Sequence, residues 1–184
     1  MKQSGDITGI DVDPIITLTG YSGGGLTSEW TAELQPTYAP DINIVGIALG
    51  GLVPNLSAST EYVNGGLFSS LGPPGIVGLS HDYQNLSTWL DENLVPSTKA
   101  KFMQAGSQCI TSNAIEYAFE DIGDYFIGGY AALSEPVPAS ILAATGLMGL
   151  RSTPTIPLYL YEVRSGYLSD RKRSKANFDL DHLR

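Results

Sequence analysis

A glycine-rich turn between two predicted regular elements constrains the fold of this chain more than any other feature. The apolar run at 15–19 predicts a β-strand, and a helix-like segment at 26–38 follows the turn at 20–25. A second β-rich run lies at 42–49. Because strand, helix and strand in this order form the repeating unit of parallel α/β sheets, the sequence predicts such a sheet, with Ser22 in the turn between the first strand and the helix.

The predicted helix carries apolar residues at a regular spacing. Leu26, Trp30 and Leu34 recur every four residues, which predicts that they form the helix face that covers the sheet. A further apolar run near the other end of the chain predicts a third strand. The sequence therefore predicts an α/β fold with a partial sheet of three parallel strands at 15–19, 42–49 and 156–161.

The turn contains the pattern Gly20-x-Ser22-x-Gly24. Between a strand and a helix, this pattern is typical of the nucleophile elbow of α/β-hydrolases, in which a serine occupies a strained corner and its neighbours must be small. A phosphate-binding loop is disfavoured, because such loops need a lysine or a different glycine spacing, and no lysine or arginine occurs from residue 3 to residue 98. The remaining alternative is a turn that only connects the two elements.

The chain resembles the fungal secretory lipase family over about residues 11–161. This resemblance implies a carboxylic ester hydrolase of the triacylglycerol lipase type that acts in lipid catabolism through a serine, a histidine and an aspartate. It also implies a helical lid inserted after the strand that follows the elbow helix. The similarity is carried by the segments 20–40, 43–46, 48–51, 64–68, 75–79, 148–149 and 153–158.

The resemblance also implies roles for single residues. Ser22 matches the nucleophile that forms an acyl-enzyme, and Gly23 matches the residue whose backbone N–H contributes to the oxyanion hole. The triad acid of the family is expected near Gly166, where this sequence has no carboxylate. Glu162 is the nearest carboxylate, but it comes too early in the loop to match the acid.

Neither histidine of the chain matches the triad base. His81 lies in the predicted lid, where a surface or helix-capping role is the simpler interpretation, and His182 lies almost at the end of the chain, beyond the resemblance. With no acid or base assigned, we expect an incomplete chain that does not turn over esters by itself. The alternative hypothesis is a non-catalytic remnant or a misassembled gene product that lacks both groups.

Four regions are predicted along the chain. Residues 1–53 form the elbow part of the core, 54–150 the helical lid insertion, 151–163 a core strand, and 164–184 a divergent basic tail that contains six of the ten lysines and arginines. Apolar lid residues either pack inside the lid or line an acyl-chain tunnel and face an oil surface. The candidates for the second role are Phe68, Leu71, Phe126, Ile127 and Tyr130. The predicted lid helices are 60–71, 85–94 and 114–125.

Composition disfavours several other classes of protein. The net charge of −9 disfavours nucleic acid as a partner, and no His, Cys and carboxylate cluster has metal-ligand spacing, so no metal and no cofactor are predicted. No apolar run reaches membrane-spanning length, and residues 1–14 lack the apolar core of a secretory signal. An extracellular location and a lipid ester substrate are implied by the resemblance alone, as is the likeness of Cys109 to a cysteine that forms a disulfide in the family.

Overall fold

The computed structural model describes residues 5–11 and 13–161 of the 184-residue chain. The chain divides into two compact units. The first, here called the sheet unit, comprises the described parts of Met1–Pro54 and Met148–Arg184. The second, here called the helical unit, is Asn55–Leu147. The helical unit is thus inserted along the chain between β2 and β3 of the sheet unit, whose elements are α1 (Gly5–Thr8), β1 (Ile16–Tyr21), α2 (Gly23–Tyr38), β2 (Ile44–Gly50) and β3 (Leu158–Tyr161).

The three strands form a parallel sheet in the order β1-β2-β3, which confirms the predicted fold class. The strand bounds differ from the prediction by a few residues. β1 continues to Tyr21, because Gly20 pairs with Leu49 and Tyr21 pairs with Gly50. The strand therefore ends at the residue before Ser22, and the turn into α2 is tighter than the glycine-rich sequence alone suggests.

The packing face of α2 differs from the predicted one. Its buried residues are Gly25, Glu29, Ala32 and Glu33, whereas the regularly spaced apolar residues of this helix are only half-buried. Small side chains allow α2 to lie close to the sheet, and Ala32 packs in one cluster with apolar residues of β2. The other fully buried members of this cluster are Ile44, Ile47 and Leu49.

The helical unit consists of short α-helices joined by 3₁₀ segments of three to six residues. The 3₁₀ segments are Leu67–Leu71, Ala105–Ser107, Ile122–Tyr125 and Gly129–Ser134. The α-helices are α3 (Leu56–Val63), α4 (Gly72–Asp82), α5 (Gln84–Asn93), α6 (Lys99–Gln104), α7 (Ile110–Tyr117) and α8 (Pro136–Gly146).

One of the three predicted helices of this unit is confirmed, and two are interrupted. The prediction at 85–94 matches α5. The segment 60–71 is broken after α3, where Gly65 has a φ of 73°. The segment 114–125 is broken after α7, where Phe119 has a φ of 65°. A residue in the left-handed region cannot continue a right-handed helix, so the chain turns at both points.

The core of the helical unit is aromatic. The rings of Trp89 and Phe126 lie 5.5 Å apart, and the ring of Phe102 lies 5.3 Å from those of both Tyr125 and Phe126. Apolar residues of α4, α5 and α8 surround them. Large rings contribute more buried area per residue than aliphatic side chains, which lets helices of about two to three turns form a core. In the part of the chain that the structure describes, no helix combines the length and apolar character needed to span a bilayer.

Candidate active site

Ser22 occupies a strained corner between β1 and α2. Its φ of 53° and ψ of −118° lie outside the regions that L-residues ordinarily adopt. The corner is held from both sides, because the Ser22 N–H donates to the Gly50 carbonyl at 2.9 Å and the Leu26 N–H donates to the Ser22 carbonyl at 3.0 Å. The side chain is exposed and makes no capping hydrogen bond to α2. A strained backbone of this kind costs about 1–3 kcal/mol, so the rest of the fold must impose it.

Glycines make this corner possible at specific points. A Cβ on Gly20 would overlap the Gly24 carbonyl and lie 2.6 Å from the Gly25 nitrogen, so position 20 has no room for a side chain. A Cβ on Gly25 would lie 3.2 Å from the Gly50 carbonyl, which is tight contact. A Cβ on Gly24 would meet nothing within 4 Å. The steric requirement therefore falls on Gly20 and Gly25, and only the first of these belongs to the Gly-x-Ser-x-Gly pattern.

The amino-terminal end of α2 follows Ser22 directly. Gly23 is the first residue of the helix, and the N–H groups of a first helical turn have no partner within the helix. Such donors, together with the positive end of the helix dipole, favour negative charge. An oxyanion that forms next to the Ser22 hydroxyl would develop beside these groups. Ser22 and Gly23 thus lie together at one corner.

Two tyrosines and two glycines lie at the carboxyl ends of the strands, beside the elbow. The ring centroids of Tyr21 and Tyr161 are 6.5 Å apart. A Cβ on Gly50 would lie 2.7 Å from the Tyr161 hydroxyl oxygen, and one on Gly51 would lie 3.1 Å from the Tyr21 ring. Ligands of open α/β sheets bind outside the carboxyl ends of the strands. The elbow therefore has an aromatic wall at the edge where a substrate is expected.

Sequence reasoning missed two buried carboxyl groups on α2. Glu29 and Glu33 are 0% and 2% exposed. Their spacing of four residues places them on one face of the helix, which contains no lysine or arginine. That combination, two carboxylates at helical spacing without a cation on the same helix, is the signal in the sequence that could have identified them.

The remaining sequence-predicted residues lie in the helical unit or outside the described residues. His81 is exposed in the last turn of α4, in the helical unit, which agrees with a surface role. Glu162, Gly166 and His182 lie outside the described residues. Cys109 is exposed at the N-cap of α7, and a hydrogen bond with Ser112 lowers the pKa of its thiol. Within 5–11 and 13–161, no group of three or more His, Cys, Asp or Glu side chains could hold a metal ion.

The candidate lipid-contacting residues of the helical unit separate into two groups. Phe126 is 3% exposed and packs on Trp89 and Phe102, so its predicted role in lining a tunnel or facing oil is corrected to a core role. Tyr130 is half-buried, and burial, followed by the charges of Glu61 and Asp121, raises its pKa to about 12. The exposed members of the set are Phe68, Leu71 and Ile127.

Comparison with solved structures gives the fold. The X-ray structure of Candida antarctica lipase A superimposes with a TM-score of 0.75 at 24% identity, over 86% of this chain and 38% of that one. The esterase LipA from Xanthomonas oryzae, described as degrading rice cell walls, gives a TM-score of 0.64 at 22% identity. The fold is that of the α/β-hydrolases.

Comparison with known sequences gives the family. The chain is 36% identical to Lipase A from Arthroderma benhamiae over 159 residues, which is 85% of this chain and 34% of that protein. It is 32% identical to a secreted triacylglycerol lipase from Malassezia furfur over 177 residues, which is 92% of this chain and 46% of that one. The chain thus spans less than half the length of these relatives. Since the secretory lipase family model also matches residues 1–180, the chain belongs to the secretory lipase family.

Proposed function

We propose that this chain carries the nucleophile of a secreted carboxylic ester hydrolase of the triacylglycerol lipase type. The observation that supports this most directly is the backbone of Ser22, which is strained, exposed and joined to the amino-terminal end of α2. A turn that merely connects a strand to a helix has no need of a strained non-glycine residue at its apex. The resemblance at 20–25 and the family match support the same assignment.

The proposed reaction begins with attack of the Ser22 hydroxyl oxygen on the ester carbonyl carbon. The hydroxyl proton passes to a general base, and the negative charge that develops on the carbonyl oxygen is stabilised by the Gly23 N–H. Collapse of this intermediate breaks the carbon–oxygen bond of the ester and releases the alcohol, which takes up the proton. Water then attacks the acyl-serine by the same route and releases the fatty acid.

The substrate class and the location are inferred from the relatives. The Malassezia furfur relative is named as a secreted triacylglycerol lipase, which supports a neutral lipid ester as substrate and an extracellular site of action. Within the helical unit, Phe68, Leu71 and Ile127 are large apolar side chains exposed to solvent. We include in the proposal that these three residues contact the lipid, with the helical unit acting as a lid.

Labelling with a fluorophosphonate probe tests the assignment of Ser22. Labelling needs only one stoichiometric reaction of the serine, which a strained, exposed hydroxyl at the amino-terminal end of a helix can undergo slowly without sustained turnover. After long incubation, we expect labelling of the wild-type chain and of the control Ser28→Ala, which changes a half-buried serine within α2, and none of Ser22→Ala. Equal labelling of Ser22→Ala would refute the assignment. No labelling of any folded variant would favour the non-catalytic alternative.

Ester turnover tests whether the chain is catalytically complete. Release of p-nitrophenol from a short-chain ester should be compared between wild type and Ser22→Ala. Hydrolysis that disappears in Ser22→Ala would contradict the prediction that the chain cannot turn over esters by itself. It would then direct the search for a base to His81 and His182.

A further inference from the structure

The buried carboxyl groups of Glu29 and Glu33 are in different surroundings. Glu33 accepts hydrogen bonds on both oxygens, from the Gly149 N–H and from the Arg151 N–H at 3.3 Å. The Ser152 hydroxyl donates to the Glu33 backbone carbonyl. Glu33 therefore fastens the segment 149–152, which leads toward β3, to the helix that begins at the elbow. Both carboxyl oxygens of Glu33 therefore have hydrogen-bond donors.

Within the described part of the chain, the carboxyl group of Glu29 accepts no such hydrogen bonds from backbone N–H groups. Both of its carboxyl oxygens are inaccessible to solvent, and among the described residues no N–H group and no hydroxyl donates a hydrogen bond to either of them. An ionised carboxylate in such a place would have nothing to replace its lost hydration, which is strongly unfavourable. A protonated Glu29 would be neutral and would gain a donor. Because Glu33 is the residue four positions further along the same face, its carboxylate is the natural acceptor for that proton.

Among the described residues, the strands that pack on α2 offer no cation to Glu29. β1 and β2 contain no charged side chain, and their one titratable residue, Tyr21, is exposed at the end of β1. Tyr38, on α2 itself, is exposed as well. The Arg151 guanidinium lies over the ring of Trp30, 4.2 Å from its centroid. The charged neighbour that acts on Glu29 is Glu33, and its charge is negative.

We propose that Glu29 and Glu33 share one proton, and that the resulting carboxyl–carboxylate hydrogen bond within α2 holds Glu33 where it accepts from the Gly149 and Arg151 amides, so that the pair forms a pH-sensitive latch between α2 and the segment 149–152. The latch does not depend on the proposed hydrolase function. It belongs to the helix that begins next to Ser22 and to the segment that leads to β3, so it links the two parts of the sheet unit that the chain separates.

The titration of Glu29 determines the pH range in which the latch is stable. Burial, followed by the negative charge of Glu33 and a hydrogen bond with it, raises the pKa of Glu29 from its ordinary value of 4.5 to about 8. The folded protein therefore keeps the proton at a pH where an opened Glu29 releases it. The stabilisation is fully present below pH 4.5 and decreases as the pH rises to about 8.

Hydrogen exchange of the Gly149 and Arg151 amides tests the latch at the atoms it holds. In the wild-type chain, we expect protection factors, corrected for intrinsic exchange, to fall about 100-fold between pH 5 and pH 7, because one proton changes the opening constant about tenfold per pH unit. Glu29→Gln keeps the shape and a donor but cannot ionise, so its protection should be independent of pH and higher than wild type at pH 7. The control Glu92→Gln, at an exposed carboxylate of α5, should behave as wild type.

Two outcomes would overturn the proposal. One is a pH dependence in Glu29→Gln equal to that of wild type, and the other is lower protection in Glu29→Gln than in wild type at pH 7. Infrared spectroscopy gives a second measurement that needs no folded variant of Glu29. At pH 7 the wild-type chain should show the carbonyl stretch of a protonated carboxyl group, and the absence of this band would also overturn the proposal.

Discussion

The sheet unit and the helical unit each contain a glutamate that is fully or partly removed from water, but the two glutamates differ in their partners. In the helical unit, Glu120 accepts a hydrogen bond from Lys101 at 2.5 Å and another from the Tyr125 hydroxyl. Burial alone would raise the pKa of Glu120, but these hydrogen bonds and the charge of Lys101 bring it below its ordinary value. In the sheet unit, Glu29 lacks such partners and its pKa is raised. The same side chain is thus charged in one unit and, by our inference, protonated in the other.

The strained residues differ in the same way. Among the described residues, the non-glycine residues with a positive φ are Ser22 in the sheet unit and Phe119 in the helical unit. The Phe119 N–H donates to the Gly66 carbonyl at 2.8 Å, so the strained turn after α7 is tied to the turn after α3. Ser22 is tied to β2 and α2 while its hydroxyl stays exposed. In the helical unit, both Glu120 and the strained Phe119 are held by hydrogen bonds within the unit. In the sheet unit, the hydroxyl of the strained Ser22 stays exposed and the carboxyl group of Glu29 lacks an N–H or hydroxyl donor among the described residues.

The largest loss of stability is expected for a substitution at Gly20, next to the strained corner. In Gly20→Ala, the new Cβ overlaps backbone atoms of α2, and backbone cannot move aside as a flexible side chain can. We expect a loss of about 2–3 kcal/mol of unfolding free energy, together with loss of fluorophosphonate labelling at Ser22. Urea unfolding and the labelling assay measure the two effects.

The matched control for this prediction is Gly24→Ala, since a Cβ there meets no atom within 4 Å. Alanine has the higher helix propensity, so the unfolding free energy should stay within about 1 kcal/mol of wild type or rise. A Gly24→Ala variant as unstable as Gly20→Ala would show that the corner does not depend on the contact at Gly20.

A smaller effect is expected when the cation of the helical unit is removed. Lys101→Met leaves Glu120 without its charge partner, and since the two side chains are 38% and 35% exposed, we expect a loss of only about 1–2 kcal/mol at neutral pH. Because the pKa of Glu120 is lowered on folding, the wild-type contribution is present above the ordinary pKa and is lost as the pH falls through the folded value. Urea unfolding followed by Trp89 fluorescence, in a Trp30→Phe background, measures this.

Lys99→Met is the control for the cation. Lys99 pairs with Asp91 at 2.8 Å, but the Asp91 side chain is 66% exposed, so the loss should be about 0.5 kcal/mol or less. Equal losses in the two lysine variants would mean that Glu120 does not need its cation. The contrast with Glu29 would then disappear.

The smallest expected effects are gains in stability from replacing the two strained residues, Ser22 and Phe119, with glycine. They separate a strained residue that reacts from one that does not. Glycine adopts a positive φ without penalty, so Ser22→Gly and Phe119→Gly should each raise the unfolding free energy by about 1 kcal/mol. Only Ser22→Gly should lose fluorophosphonate labelling. If Phe119→Gly loses labelling as well, the turn after α7 contributes to the nucleophile site.

The sheet and the elbow could be predicted because their signals are local. Strands at 15–19, 42–49 and 156–161 are read from apolar β-rich runs, and the position of Ser22 follows from glycines between a strand and a helix. The buried face of α2 was not predicted, since pattern reasoning assigns glutamates such as Glu29 to solvent. The break after α7 was missed for a related reason, because Phe119 adopts a conformation for which glycine or asparagine is the usual signal.

The glycine at the end of β2 determines how β3 can align. Gly50 pairs with Tyr161, and the tyrosine ring occupies the space that any side chain at position 50 would fill. If β3 slipped by one residue, the ring would move to the opposite face of the sheet. A slip by two residues would set the ring against Ala48, which has a side chain, or beyond the end of β2. The alignment that places Tyr161 opposite Gly50 is therefore the one that accommodates its ring, and the missing side chain at position 50 helps to fix the register between β2 and β3.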